Sequence, residues 1–240
     1  GWARTRTVYF AISFSRPFVD YGHKKYDDIP YRGFYRRFDE ERNFPEMAGR
    51  EIRAHFDFDD AGENPLLVKV ALSNVSTAGA LANMRAELPH WDFDRVRQAA
   101  RDEWNRELNK IRVQSMTDDQ HSIFYTALYH TMLGPVVYED VDGTYLGLDQ
   151  NVHTSDGFTN YTVFSLWDTY RALHPLFNLT QTGRNRDMIR SMLAHYDQSV
   201  HPMLPIWSHY ANETWCMIGY HSVSVIADAI VKGMTGIDLK

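Results

Sequence analysis

The chain has 240 residues, of which 44% are hydrophobic and 23% charged. That suffices for one large domain, or a small one joined to part of another, and excludes a disordered tail. A net charge of -6 argues against a nucleic-acid partner, and no run approaches the about 18 apolar residues of a membrane span. Its one cysteine, Cys216, permits neither an internal disulfide nor a Cys-based zinc cage. With no charged-then-apolar leader after Gly1, the compartment stays open at this level.

The first ninety residues read as strands. In Thr7–Ser15 the residues Val8, Phe10, Ile12 and Phe14 alternate with smaller or polar ones, which predicts that their face is buried. Glu51–Phe58 repeats the period, with Ile52, Ala54, Phe56 and Phe58 on one side. Leu66–Val75 is apolar on both faces, as in a central sandwich strand. The acidic pairs Asp27-Asp28 and Asp59-Asp60 fall among turn formers and read as solvated hairpin loops.

From about Asp92 the period becomes helical. Phe93, Val96, Ala100, Trp104, Leu108 and Ile111 form one stripe. A second helix opens at Thr117, with Gln120 completing a capping box, and stops at Gly134-Pro135. A third starts at Ser165, a fourth covers 186–197, and a fifth follows Thr214 and ends near Gly233. The expected class is therefore α+β, with domains at 1–90 (strands) and 91–240 (helices). The helical layer reads as unfinished, and the expectation is that the sequence is a segment of something longer.

The familiar nucleotide, zinc-protease and serine-hydrolase motifs are missing. Asp140-Val-Asp142-Gly143 starts like a calcium loop but lacks later ligand positions, so a tight turn is expected. Two segments are denser. In Phe164-Ser-Leu-Trp167-Asp168-Thr-Tyr170-Arg171 an aromatic face, a carboxylate and a guanidinium offer what a sugar ring needs. Ser165 and Asp168 are also spaced as a capping box, so Asp168 as mere helix cap stays open. As a sugar ligand, Asp168 suits hydrogen-bond acceptance better than general-acid work.

The second segment, 205–221, crowds Trp207, His209, Tyr210, Asn212, Glu213, Trp215, Tyr220 and His221 into a loop leading to a helix. Taken bare, Asp168 and Glu213 are candidate paired carboxylates for glycoside hydrolysis. The competing readings are that Glu213 caps its helix and that His221 is a satisfied core histidine. Cys216 reads as a buried small hydrophobe. Sequons at Asn74, Asn160, Asn178 and Asn212 read as chance.

At these residues the chain resembles glycoside hydrolase family 92, the calcium-dependent exo-acting α-mannosidases. The matching stretches are Val70–Ser76, Trp91–Asp94, Trp104-Asn105 with Leu108–Ile111, Phe124–His130, Phe164–Arg171, Ser191–Leu193 and Cys216–Gly219. The resemblance implies a β-sandwich followed by part of an (α/α)6 barrel, with the site between them. It also implies an inverting reaction on terminal α-linked mannose, most commonly α-1,2, with Ca2+ on the sugar hydroxyls and the mannose-containing glycan as partner.

The family's acid and base motifs do not occur before Lys240, so the chain is expected to contain no catalytic acid or base and to be inactive alone. Trp167 and Asp168 match positions that resemble the terminal-mannose pocket. Arg171, Glu213 and His221 are expected to line it, with Glu213 as a lining residue and not the acid. The calcium ligands stay unassigned, and a periplasmic or secreted location is expected. The alternative is a non-catalytic carbohydrate-binding protein with an aromatic cleft.

Overall fold

The structure, a computed structural model, describes residues 6–24, 35–39, 44–48, 53–59, 65–114 and 117–238. In chain order the elements begin with strands β1 (Tyr9–Phe14), β2 (Asp20–Lys24), β3 (Tyr35–Asp39), β4 (Phe44–Ala48), β5 (Arg53–Asp57) and β6 (Val68–Ser73). Helices α1 (Thr77–Glu87), α2 (Phe93–Leu108) and α3 (Asp118–Thr131) follow. Short strands β7 (Val136–Val137), β8 (Thr144–Leu146), β9 (Val152–Thr154) and β10 (Tyr161–Thr162) lead to α4 (Leu166–Thr169), α5 (Leu173–Thr180) and α6 (Thr182–Gln198). Strands β11 (Ser208–His209) and β12 (Asn212–Glu213) precede α7 (His221–Val231). The class is mixed helix with small sheets, in two compact units: residues 13–69, and residues 1–12 with 70–240.

In the smaller unit β2 pairs antiparallel with β5, in register Asp20↔Asp57 to Lys24↔Arg53, and β3 pairs with β4. Its apolar content gathers in an aromatic knot. Phe14 lies 4.8 Å from Phe56 and 5.1 Å from Phe58, and Phe18 lies 5.3 Å from Phe56. The even-numbered face expected for 51–58 thus packs through Phe56 and Phe58; Ile52 lies outside the described residues, as do Asp27, Asp28 and Asp60.

Strands β1 and β6 pair, but not with the face expected to be inside. Val8, Phe10, Val68, Val70 and Leu72 are exposed, whereas Ala11 and Ser73 are buried. Alternation reveals two faces without saying which is covered, and here α1 covers the small-residue face: Ala11 packs with Ala80 and Met84. Helix α1 falls within the stretch read as strands. Ser76 caps it through a 2.9 Å bond to the Gly79 N–H.

Local signals set the other helices. Asp92 caps α2 by accepting from the Arg95 N–H, and at α3 both bonds of the Thr117–Gln120 capping box are present. The stripe of α2 is largely exposed at Phe93 and Val96, and its buried residue is Glu107. Its carboxylate meets Lys110 at 2.7 Å, Arg184 at 2.9 Å and Gln181 at 2.7 Å, tying α2 to α6. Burial by itself would raise the Glu107 carboxyl, but hydrogen bonds from Lys110 and Gln181 with the Arg184 charge hold it below the usual carboxylate range.

The expected single helix from Ser165 is two helices, α4 and α5. Pro175 has no N–H for the Arg171 carbonyl and its ring would strike that carbonyl, whereas in the first turn of a new helix neither matters. Helix α6 begins a turn before the expected start. It buries Met188, Ile189 and Met192 against Phe164, Leu166, Phe177, Val225 and Ile226, the main core, directly beneath α4. No helix among the described residues is long and apolar enough to cross a membrane.

Candidate functional site

The two dense segments meet. The Phe164 N–H donates to the Ser208 carbonyl at 3.0 Å, and the Tyr210 N–H donates to Thr162 Oγ1 at 2.8 Å. Further along, the His221 imidazole stacks on the Tyr170 ring, centroids 4.1 Å apart and planes 7° from parallel. Residues 208–221 are therefore fastened at both ends to the stretch 162–170, which carries Trp167 and Asp168.

On α4 the Trp167 ring is 36% exposed, and Asp168 is exposed beside it. Ser165 makes no side-chain cap bond, so the capping-box reading of Ser165 and Asp168 does not hold. The Arg171 guanidinium sits 5.5 Å from the Trp167 centroid and 4.9 Å from that of Tyr170. Trp167, Arg171, Tyr170 and His221 thus form one continuous row of a cation and three rings. His221 is half-buried and held by stacking, so the core-histidine reading does not hold either. Close to His221 lies Gly219, at φ +93°, where a Cβ would run into the imidazole at Nε2.

Glu213 is turned inward. Its Oε1 accepts from the Trp207 N–H at 2.9 Å and the Trp215 N–H at 3.0 Å, and its Oε2 from the Ile206 N–H at 2.9 Å. A carboxylate that accepts from three main-chain N–H groups organises a loop. It also does not cap α7, which starts eight residues later. Between its donors β11 and β12 form a hairpin, Ser208↔Glu213 and His209↔Asn212, closed by Tyr210 and Ala211.

Both closing residues have positive φ, 49° and 58°, the two-residue turn that glycine and asparagine normally serve. Val163 at 69° and Trp215 at 55° lie in the same two segments. The fifth such non-glycine residue described, Gln150 at 63°, donates its Nε2 to the Ala211 carbonyl at 2.8 Å. Each costs about 1–3 kcal/mol and persists only where surrounding structure over-determines it, which is the habit of functional sites. The β-branched Val163 is the most costly kind of case.

His209, stacked on Trp207 at 6.1 Å, is pushed down by burial, with Glu213 acting in the opposite direction. Beneath α4, His195 meets Phe164 edge-on at 5.7 Å, and burial pushes its imidazole down to about 4.

Several smaller expectations can be settled. Asp140–Gly143 is a tight turn: Gly143 N–H bonds the Asp140 carbonyl at 2.8 Å, and Asp142 accepts from Thr144. Asp140 is buried and clasps Ser73 at 2.6 Å and Asn83 at 2.8 Å. Cys216 is exposed, contrary to expectation, because the fifth helix starts only at His221 and leaves residues 215–220 on the surface. Among the sequons, Asn160 is fully buried, and the side-chain amides of Asn178 and Asn212 donate to Asp228 and to the Tyr210 carbonyl. Among the described residues no three His, Cys, Asp or Glu side chains converge as a metal cage. A separate, mostly apolar cavity of about 320 Å³, lined by Trp104, Met132, Pro135, Tyr161, Phe177 and Arg184 among others, contains none of the expected site residues.

Sequence reasoning named Tyr170 within its segment but not its stack with His221. It had no signal for the clasp of Glu213 either, since both depend on partners far along the chain or on loop geometry.

Rings, an acid and a guanidinium side by side on one helix offer the groups that a sugar ring needs. Residues 79–240 match the model of the glycosyl hydrolase family 92 catalytic domain, and the chain belongs to that family. Among solved structures it is similar to a family 92 α-mannosidase of Bacteroides thetaiotaomicron, 44% identical with a TM-score of 0.85, covering 99% of this chain and 31% of that one. The same mannosidase in complex with mannoimidazole matches with a TM-score of 0.86. A second B. thetaiotaomicron structure, of a family 92 inverting mannosidase, is 28% identical with a TM-score of 0.81, covering 98% of this chain and 30% of that one. A curated relative, an uncharacterized secreted glycosidase of Arthroderma benhamiae, is 31% identical over 81 residues, which is 32% of this chain and 10% of that protein. The chain thus spans about a third of the structures it matches.

Proposed function

We propose that this chain carries the terminal-mannose pocket of a glycoside hydrolase that removes terminal α-linked mannose, with α-1,2 linkages foremost, from glycans. The observation that carries the reading is the row Trp167–Arg171–Tyr170–His221, with Asp168 exposed beside it. The indole and the stacked pair supply apolar faces for the C–H side of a pyranose, while Asp168 accepts from and Arg171 donates to its hydroxyls. Glu213 contributes indirectly, by fixing the loop that faces them. The mannosidase matches support the substrate class, and the secreted relative supports a secreted or periplasmic location.

The proposed architecture is a β-sandwich over 1–90 and the first portion of an (α/α)6 barrel over 91–240. The exposed apolar face of β1 and β6 (Val8, Phe10, Val68, Val70, Leu72) supports the first part, because a second sheet is what such a face requires. The proposed chemistry is inversion assisted by Ca2+, an oxygen-seeking ion that would hold sugar hydroxyls. Among the described residues no acid cluster that would hold such an ion is found.

The test is affinity for methyl α-mannoside. Trp167→Ala and Asp168→Ala should each weaken it about ten-fold with thermal stability retained. Unchanged affinity in folded variants overturns the pocket. A second reading, a non-catalytic carbohydrate-binding protein, is favoured by the engagement of Glu213 in main-chain bonds. It predicts sugar binding with no calcium-dependent hydrolysis in any form of the protein.

A further inference from the structure

A chain of side-chain hydrogen bonds runs from the surface into the core across α7, α5 and α6. Asp228, on α7, accepts at Oδ2 from Lys232 Nζ at 2.7 Å and from Asn178 Nδ2, on α5, at 2.8 Å. Asn178 Oδ1 accepts from Asn185 Nδ2, on α6, at 2.7 Å, and Asn185 Oδ1 meets His174 Nδ1 at 2.7 Å. Asn185 and His174 are both buried.

The chain has one direction. A carboxylate only accepts, so Asn178 turns its NH2 group to Asp228 and its oxygen to Asn185. Asn185 gives its NH2 group to Asn178, with the His174 carbonyl at 3.5 Å as a second acceptor, and offers its oxygen to His174. The proton of His174 therefore sits on Nδ1, and Nε2 is a bare acceptor. Nε2 is sealed without a hydrogen-bond partner among the described residues, and burial pushes the imidazole down, which keeps it neutral. A sealed lone pair is tolerated better than a sealed N–H, so the chain leaves bare the nitrogen that suffers least.

The same chain pins two helices. Asp228 follows His221 on α7 by about two turns, so the Asp228–Asn178 bond and the His221–Tyr170 stack are two rungs along that helix. Between them Val225 and Ile226 pack in the core with Phe177. Apolar contact is non-directional, whereas a polar bond between helices can specify register. We infer that Asp228 is a positioning residue for the stack: by taking the Asn178 amide it sets α7 in register on α5, which seats His221 on Tyr170, and it sets which nitrogen of His174 holds the proton. This rests on the mannose-pocket reading above only in counting the stack as part of a sugar site.

The experiment is long-range proton–nitrogen NMR of the histidines of the 240-residue chain at neutral pH, with calorimetric titration by methyl α-mannoside. His174 is assigned from its loss in His174→Gln. The unaltered chain should show the His174 proton on Nδ1 and the His221 ring protons shifted upfield by the Tyr170 ring. Asp228→Leu should bring in the second tautomer of His174, reduce the His221 shift and weaken sugar binding about five-fold, the worth of one hydrogen bond. Asp228→Asn still offers Asn178 an oxygen and should restore all three. Should Asp228→Leu fail to fold, Asp228→Ala, which cuts the same bond, takes its place, and the tautomer in the unaltered chain remains decisive. A proton on Nε2 in the unaltered chain, unmoved His174 and His221 signals in the folded Leu or Ala variant, or a loss in Asp228→Asn equal to theirs would each overturn the inference. Absence of sugar binding by the unaltered chain overturns the mannose-pocket reading instead, and the two NMR signals still decide the role of Asp228.

Discussion

The imidazole of His221, first residue of α7, lies flat on the phenol ring of Tyr170, just past α4, with centroids 4.1 Å apart. Fifty-one positions separate them in sequence, so the stack is a tertiary clamp between two helices that also share the core around Phe164 and Val225. Gly219 also lies close to the imidazole, and a Cβ there would run into its ring.

That clamp predicts how the site responds to substitution. Tyr170→Ala should free the imidazole and weaken methyl α-mannoside binding several-fold, whereas Tyr170→Phe keeps the stack and should bind normally. Gly219→Ala adds a methyl group that would run into His221 Nε2, at a φ of +93°, and should cost about 1–3 kcal/mol of stability as well as affinity. Calorimetric titration with parallel thermal melts checks both; full affinity in Tyr170→Ala would show that the stack only packs.

Acid should loosen the helical core in two stages. His195 has a folded-state value of about 4 against about 6.5 when exposed, so the unfolded chain binds the proton first. Its stabilising contribution is complete above the unfolded value and is lost as pH falls from there toward 4. Glu107, held below the usual carboxylate range, adds a loss in the same direction at still lower pH. Denaturant midpoints between pH 7 and pH 4 should therefore fall, and His195→Phe should flatten the upper part of the curve. A curve that steepens in that variant would refute the assignment.

The 240-residue chain alone should not hydrolyse aryl α-mannosides or mannobioses, with or without Ca2+. Glu213 accepts from three main-chain N–H groups and is committed to holding its loop. Turnover above background, sensitive to EDTA, would contradict this and return Glu213 to consideration as the acid.

Where neighbours in sequence were sufficient, the sequence was informative by itself. The Thr117–Gln120 box is a bond across three residues, and the α6 stripe of Met188, Ile189 and Met192 needs only the helical period to declare a buried face. The composition of the two aromatic segments likewise singled them out before any geometry, and the folded chain brings them together. Long-range packing decided what those signals left open. Which face of β1 was inside depended on α1 arriving with Ala80 and Met84, and Pro175 turned one expected helix into two. Whether Glu213 was an acid or a clasp depended on three N–H groups converging from both sides of a hairpin. Periodicity and residue type fix what a segment can bury or bind; only the folded chain supplies the partner that takes up each exposed face, each carboxylate oxygen and each ring.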